Sequence, residues 1–206
     1  CDAGYNIGHL MIAYDKVLRI GIRGFLEEIE EKLSRLNDAD ADDFERIVNY
    51  KTWEIALKAL ITFAHRFADE AERMAGESDD PDFKAEKIEI ARICRKVPEY
   101  PAETFAEAMQ SIWFAYCGAM IDQASNGVSF GRIDQYLYPY YKKDIEEGRM
   151  TREQIVELLA AFNIKCNGVT LPLSNFVSAA FGGHCLACDF TIGGIDENGN
   201  DAVNEL

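Results

Sequence analysis

The apolar residues of the first 121 positions recur at the i, i+3, i+4 spacing of α-helices. This spacing predicts helices over about residues 14–36, 42–75, 82–95 and 104–121. Short polar segments rich in Asp, Gly and Pro separate them and supply the caps and turns at their ends. The first part of the chain is therefore predicted to be helical.

Individual residues locate several of these helix ends. Gly21 and Gly24 weaken the first helix locally, since glycine costs about 1 kcal/mol relative to alanine inside a helix. The segment Asn37–Asp40 breaks the pattern and offers N-caps for the second helix, which Gly76 is predicted to end. Glu103 or Thr104 is the expected N-cap of the fourth helix.

The fourth helix is apolar on most of its faces, which is typical of a helix inside a protein core. We therefore expect Trp113 and Phe114 to be among the least exposed residues of the complete protein.

The pattern changes towards the C-terminal end of the chain. A tyrosine-rich helix is predicted over about 132–147, and Thr151 begins a capping box that opens an amphipathic helix. Residues 190–195 form a short β-like run, and 196–201 read as a turn. The fold class is therefore mainly α with a few short β-strands, and helices followed by strands favour helices packed outside a sheet or barrel.

Composition excludes several partners. The chain has 206 residues and a net charge of -15, which disfavours nucleic acid and anionic membrane surfaces because both attract clustered Lys and Arg. No apolar run approaches the roughly 20 residues that span a bilayer. The chain starts at Cys1 rather than Met and ends abruptly at Leu206, so we expect it to be an internal part of a longer protein.

The six cysteines suit a reducing cytoplasm, because a chain with this much apolar sequence does not need a disulfide framework. His184, Cys185 and Cys188 form the most conspicuous cluster, and their spacing could supply zinc ligands or a redox-active dithiol. A structural zinc site needs four ligands, and no second pair lies at ligand spacing. We therefore interpret Cys185 and Cys188 as two buried thiols and expect no bound metal and no disulfide.

One histidine and one loop remain as candidates for binding. His9 follows a polar loop and could hydrogen-bond a substrate oxygen, although a lone histidine is more often structural. His65 is interpreted as structural. The glycine-bearing loop 125–131 would let backbone approach a ligand, but such loops also make ordinary turns.

Three stretches, in order, resemble the glycyl radical enzymes related to pyruvate formate-lyase. The clearest runs over 125–141 and contains Arg132-Ile133-Asp134-Gln135-Tyr136 followed by Tyr138-Pro139-Tyr140-Tyr141. The second covers 6–18, and the third covers 181–204 with its paired glycines. The resemblance makes residues 1–206 a partial pyruvate formate-lyase-like domain.

The resemblance implies a large α/β barrel of ten strands in two half-sheets, wrapped in helices, with the active site inside. The family's catalytic cysteine lies in a Gly-Cys-x-Glu setting and its radical glycine in an Arg-Val-x-Gly-Tyr setting, and neither occurs in this sequence. We therefore expect no catalytic residue in this part of the enzyme, which would not catalyse alone.

The resemblance also implies the chemistry of the complete enzyme. A radical-SAM activating enzyme, using S-adenosylmethionine and an iron-sulfur cluster, installs a glycyl radical on a C-terminal glycine absent from this chain. A thiyl radical then removes hydrogen from a small polar substrate, and a C–O, C–C, C–N or C–S bond breaks. A cytoplasmic homodimer is implied as well.

The residues expected to bind substrate are His9, Asn126, Gly127 and His184. His9 matches a substrate-contacting histidine of the glycerol dehydratase branch. That branch has a His-Ser pair at the positions of Asn126 and Gly127 and a Tyr at the position of His184. These differences change the hydrogen-bonding groups of the pocket and make glycerol a doubtful substrate.

Two alternatives stay open. Within the same family, the enzyme could be a formate C-acetyltransferase, that is, a pyruvate formate-lyase. From another class, the chain could be a standalone helical interaction protein. Reading the gene beyond Leu206 for the two missing motifs would distinguish the enzyme from the interaction protein.

Overall fold

The computed structural model of the chain describes residues 9–123, 127–169, 179 and 188–206. In chain order the elements are β1 (His9–Met11), α1 (Tyr14–Leu33), α2 (Ala41–Glu77), α3 (Pro81–Lys96), α4 (Phe105–Gln123), β2 (Gly127–Ser129), β3 (Gly131–Arg132), α5 (Ile133–Glu146), α6 (Arg152–Asn167) and β4 (Phe190–Thr191). The described part is mainly helical with a few short strands, as the sequence predicts.

The chain divides into two compact units. The first, which we call the strand unit, takes its described residues from 1–14, 103–109 and 115–206. The second, the helical unit, consists of residues 15–102 and 110–114.

The helical unit is built on α2 packed against α3. Small side chains spaced three and four residues apart on α2 let the two helices approach closely. The core consists of Ala64, Ala68, Ala71, Ala91, Cys94 and Phe114, with Leu60, Phe63 and Ile90 packed against it. Arg95 of α3 adds ion pairs with Asp69 and Glu72 of α2.

Gly21 interrupts α1. Its φ of 63° and ψ of 175° are not helical, so the predicted local weakness of the first helix is confirmed at Gly21, while the helix continues through Gly24. At the break, the backbone N–H groups of Ile22 and Arg23 donate to the carbonyl oxygens of Pro98 and Glu99 at 2.8 and 3.0 Å. Backbone groups that lose their helical partners at the break are thus satisfied by another segment.

The two ends of α2 differ in how well they agree with the predicted boundaries. The side chain of Asp40 accepts the backbone N–H groups of Asp42 and Asp43, which confirms an N-cap in the segment Asn37–Asp40. The prediction that Gly76 ends the helix is wrong, because α2 continues to Glu77. Gly76 does not adopt a positive φ, and one glycine costs too little to stop a helix.

The N-terminus of α4 is capped by Thr104, whose hydroxyl oxygen accepts the backbone N–H of Glu107 at 3.2 Å. Phe114 is 2% exposed, as expected. Trp113 is only half-buried in this chain, so it is not among the least exposed residues described here.

The elements of the strand unit follow most of the predicted boundaries. Thr151 and Gln154 form the predicted capping box at the start of α6. The predicted β-like run over 190–195 is a strand only at Phe190–Thr191. Gly193 and Gly194 have φ values of 68° and 91°, which are incompatible with a strand and turn the chain away.

The four short strands bring three segments of the strand unit side by side. β1 pairs in parallel with β2, and β3 pairs in parallel with β4. Phe130 joins β2 to β3, and its backbone N–H donates to the carbonyl oxygen of Asp189 at 2.7 Å. The expected ten-stranded barrel stays a prediction about the complete protein, since the described residues contain only these strands.

Candidate functional site

The parallel pairing of β1 with β2 places His9 opposite Gly127. Their Cα atoms are register partners, followed by Leu10 with Val128 and Met11 with Ser129. Residues separated by 118 positions in sequence are thus neighbours in the strand unit.

His9 packs on the face of Gly127 where a side chain would stand. A Cβ atom added to Gly127 would lie 2.3 Å from His9 Cδ2, 3.0 Å from Nε2 and 3.3 Å from Cγ. Gly127 is buried, whereas His9 is exposed among the described residues. The imidazole therefore lies over a bare stretch of backbone.

The two strands that carry His9 and Gly127 begin at one edge of their sheet, since parallel strands placed side by side start at the same edge. β4 pairs with β3 in a second two-stranded sheet, where Phe190 is the register partner of Gly131. Asn126 directly precedes Gly127 in sequence, and His184 lies six residues before Phe190. Asn126 and His184 lie outside the described residues, so their predicted place at the pocket stays a prediction.

Phe130, between β2 and β3, lies within a stack of aromatic rings. Its ring centroid is 5.4 Å from that of Tyr14, 4.8 Å from that of Tyr116 and 5.0 Å from that of Phe162. Tyr14 also stacks on Tyr136 at 5.8 Å. Such ring pairs add stability beyond simple burial, so the strands rest on a rigid apolar layer.

Two tyrosine hydroxyls in this layer differ in their hydrogen bonding. The hydroxyl of Tyr136 donates to the carbonyl oxygen of Phe130 at 2.9 Å. The hydroxyl of Tyr14 is buried and has no hydrogen-bond partner within the described ranges. Burial raises the pKa of both tyrosines above the ordinary range, so both hydroxyls stay neutral at physiological pH.

Three cysteines border the same layer. Burial raises the pKa of Cys117 to about 11 and that of Cys166 to about 12. The sulfur of Cys188 lies 3.9 Å from the carbonyl oxygen of Cys166. Because the thiolate is the nucleophile and the metal ligand, Cys117 and Cys166 are unreactive near neutral pH.

The interpretation of Cys185 and Cys188 as buried thiols is only partly testable. Cys188 is half-buried and carries a free thiol, while Cys185 lies outside the described residues. Among the described side chains, no group of three or more His, Cys, Asp or Glu residues is placed to hold a metal ion.

The signature that includes Arg132 and Asp134 binds the C-terminal segment of this chain. The Arg132 guanidinium donates to the carbonyl oxygens of Ile195 at 2.6 Å and Gly193 at 2.7 Å. The buried Asp134 carboxylate accepts the backbone N–H of Gly193 at 2.8 Å, and Gln135 donates to the carbonyl oxygen of Ala202 at 2.8 Å.

We call Arg132, Asp134 and Gln135 the signature clamp, since they hold β4 and the turn after it against α5. These residues belong to the stretch 125–141 that carries the family resemblance, and the sequence alone predicts no role for them. Their partners are backbone groups of residues 193–202, and sequence carries no signal for a backbone partner so far along the chain. The clamp fixes β4 beside β3 and so helps to shape the strand edge.

His65 lies in the helical unit, and its surroundings agree with a structural interpretation. Its Nε2 lies 2.9 Å from Oε2 of the buried Glu99, close enough for an ion pair when the ring is protonated but out of line for a hydrogen bond. The other carboxylate oxygen of Glu99 accepts a hydrogen bond from Arg23 at 2.7 Å. These contacts tie α1, α2 and the segment after α3 together within one unit.

Comparison with known proteins identifies relatives along the whole chain. A model of the family described as pyruvate formate lyase-like matches residues 2–206. The isethionate sulfite-lyase of Oleidesulfovibrio alaskensis is 39% identical over 199 residues, which cover 94% of this chain and 24% of that protein.

Solved structures agree with this relationship. A structure solved in a study of 1,2-propanediol dehydration in Roseburia inulinivorans superposes on this chain with a TM-score of 0.93 and 37% identity. The match covers 96% of this chain and 24% of the other. The glycerol-bound B12-independent glycerol dehydratase of Clostridium butyricum gives a TM-score of 0.92 and 33% identity, over 98% and 25%. The chain therefore spans about a quarter of the length of these proteins. Among its described helices, none is both long and apolar enough to cross a membrane.

Proposed function

The chain belongs to the pyruvate formate lyase-like family, and we propose that the whole protein is a glycyl radical lyase or dehydratase. Its substrate is a small hydroxylated compound from which a C–O or C–S bond is broken. The relatives named above support this kind of reaction, since they release sulfite from isethionate or dehydrate a diol or glycerol. They favour it over formate acetyl transfer and over a standalone interaction protein.

One observation carries the assignment of the pocket. His9 and Gly127, both expected at the substrate from sequence, are register partners at the edge where the parallel strands begin. An imidazole can donate or accept a hydrogen bond, so His9 is suited to hold a substrate hydroxyl. Asn126 and His184 complete the proposed set and supply an amide and a second imidazole.

The surroundings of this edge suit hydrogen-atom chemistry. The aromatic layer and the thiols beside it have raised pKa values because they are buried, which indicates a medium of low polarity. Excluding water prevents side reactions of reactive species and strengthens the polar contacts that orient a substrate. In this proposal the chain orients substrate and excludes water, while the catalytic cysteine and the radical glycine belong to sequence outside this chain.

The remaining expectations about the complete protein follow from the same proposal. A radical-SAM activating enzyme with S-adenosylmethionine and an iron-sulfur cluster is the partner that installs the glycyl radical. The complete enzyme is a homodimer that works in the cytoplasm. This chain binds no metal of its own.

The test uses the complete protein, expressed without oxygen together with its activating enzyme. Electron spin resonance counts the glycyl radical, and product assays follow isethionate, 1,2-propanediol, glycerol, and pyruvate with coenzyme A. We expect the radical to form and isethionate or 1,2-propanediol to be turned over, with glycerol a poor substrate. Acetyl-coenzyme A formation from pyruvate would establish the acetyltransferase instead, and a protein that acquires no radical would overturn the proposal.

A further inference from the structure

Gly127 in β2 and Gly131 in β3 are glycines for different reasons. Gly131 has a φ of 62°, a conformation that side chains rarely adopt. Gly127 lies in β2 and is not among the glycines with positive φ. Its backbone would therefore accept any residue, and the constraint at this position comes from what surrounds it.

The constraint at Gly127 comes from His9. The three atoms nearest to an added Cβ all belong to the His9 side chain, and the closest is at 2.3 Å. A separation below 3.0 Å is essentially never found for a real Cβ, so one of the two groups has to move. The groups that an added Cβ would meet belong to the side chain of an exposed residue, whereas Gly127 is buried backbone of a paired strand. The imidazole would move.

We propose that Gly127 is a positioning residue, which sets the orientation of the His9 imidazole by leaving space for it. With no side chain at position 127, the ring lies across the strand on the backbone of its register partner. Any larger residue at 127 turns the ring away and changes where Nε2 points. The identity of residue 127 thus decides which substrate oxygen His9 reaches, and this inference rests on the proposed role of His9 at the substrate.

The proposal separates two effects that a substitution at 127 could have. If Gly127 acts through His9, then Gly127→Ala matters only while the imidazole is present. If Gly127 instead contacts substrate directly, or is needed for the strand pairing, the substitution matters equally with and without the imidazole. A double-mutant cycle distinguishes these cases because it isolates the interaction between the two positions.

The experiment compares wild-type, Gly127→Ala, His9→Ala and the double variant as activated complete enzymes. Rates are divided by the radical content from electron spin resonance, and the substrate is whichever compound of the panel the wild type turns over. We expect Gly127→Ala to lower kcat/KM by roughly tenfold to a hundredfold in the wild-type background, since a small misplacement of a contact costs this much. In the His9→Ala background the same change should alter kcat/KM by less than about twofold. Equal losses in both backgrounds would overturn the proposal.

Crystal structures of the complete protein without activation provide a second readout that needs no substrate. We expect the His9 ring to lie over Gly127 in the wild type and to be rotated away in Gly127→Ala, with β1 and β2 still paired. An imidazole in the same place in both structures would contradict the proposal. If no compound of the panel is turned over, the proposed function fails while the ring position still decides the role of Gly127.

Gly76→Ala is the matched control. Gly76 lies in α2 of the helical unit, and an added Cβ meets nothing within 4 Å. This variant should keep the wild-type kcat/KM and the wild-type position of the His9 ring. A loss as large as that of Gly127→Ala would mean that the assay reports general damage, and the kinetic support for the proposal would be withdrawn.

Discussion

The buried carboxylate of Asp134 accepts the backbone N–H of Gly193 at 2.8 Å, across 59 residues of sequence. The side chain is 5% exposed, and the same oxygen also accepts a hydrogen bond from Gln135 at 2.8 Å. Asp134, in the stretch 125–141 that carries the resemblance, thus binds the first glycine of the Gly193-Gly194 pair in the stretch 181–204. The sequence similarity of these two stretches reflects, at least here, how the chain is held together.

Asp134→Ala should destabilise the complete protein. The substitution leaves the partly buried N–H of Gly193 without its acceptor and removes one of the two acceptors of the Gln135 amide. Losing a hydrogen bond to a charged group costs about 1–3 kcal/mol. Asp134→Asn should lose less stability, since the amide oxygen of the asparagine can still accept the backbone N–H of Gly193. Urea denaturation measures both, with the exposed Glu157→Ala as control. Equal stability of Asp134→Ala and the control would contradict the clamp.

Arg132→Lys should loosen the turn after β4. One ammonium group does not reproduce the two parallel donations to Ile195 and Gly193, although the charge is kept. Hydrogen exchange of the backbone amides in residues 193–202 should become faster, while exchange in α2 stays unchanged. Unchanged protection of residues 193–202 would show that the guanidinium does not hold this segment.

Gly21→Ala should be strongly destabilising. An added Cβ would lie 2.5 Å from the carbonyl oxygen of Glu99 and 2.6 Å from the backbone carbon of Tyr100, at a φ of 63°. Backbone strain alone costs about 1–3 kcal/mol at such a conformation, and the clash adds to it. Gly76→Ala, in open space on a helix, should instead stabilise by up to about 1 kcal/mol. Thermal denaturation of the two variants should therefore shift in opposite directions.

His9→Ala should lower turnover of the activated complete enzyme by roughly tenfold to a hundredfold, as expected for loss of one buried substrate contact of about 1–3 kcal/mol. The glycyl radical signal should stay at the wild-type level, because radical installation uses other parts of the protein. His65→Gln serves as a control that removes a histidine from the helical unit and should keep turnover per radical. Wild-type turnover in His9→Ala would show that His9 does not contact the substrate.

Cys117 should show a shifted pH dependence of alkylation. Burial raises its pKa to about 11 from an ordinary 9.0. In the folded protein the alkylation rate of Cys117 should still rise about tenfold per pH unit at pH 9.5. In urea the alkylation rate of the same thiol should be close to its plateau at that pH. Because the folded pKa is the higher one, the stability contributed by burying the neutral thiol is complete below pH 9 and is lost as pH rises towards 11. Mass spectrometry of the alkylated peptide measures the rates, and identical profiles in both states would contradict burial of the thiol.

The sequence by itself determined the helices and most of their ends. Helical periodicity is a local property, and the caps at Asp40 and Thr151 depend on contacts within three residues, so both are readable from sequence. It also determined the family, because residues of the signature recur in a fixed order. The predicted boundaries were wrong at Gly76, which lies inside α2, and after Thr191, where β4 stops. At both places the local preference of the residues for helix or strand is weak.

Only the tertiary structure decided what these residues touch. The register of His9 with Gly127 depends on strand pairing over a long sequence separation, and no local pattern encodes it. The same is true of the clamp, whose partners are backbone groups, and of Gly21, whose conformation is set by the segment at Glu99. The two glycines of β2 and β3 also differ: Gly131 is required by its own positive φ as well as by the side chain of Met11, whereas Gly127 is required by the imidazole that lies over it.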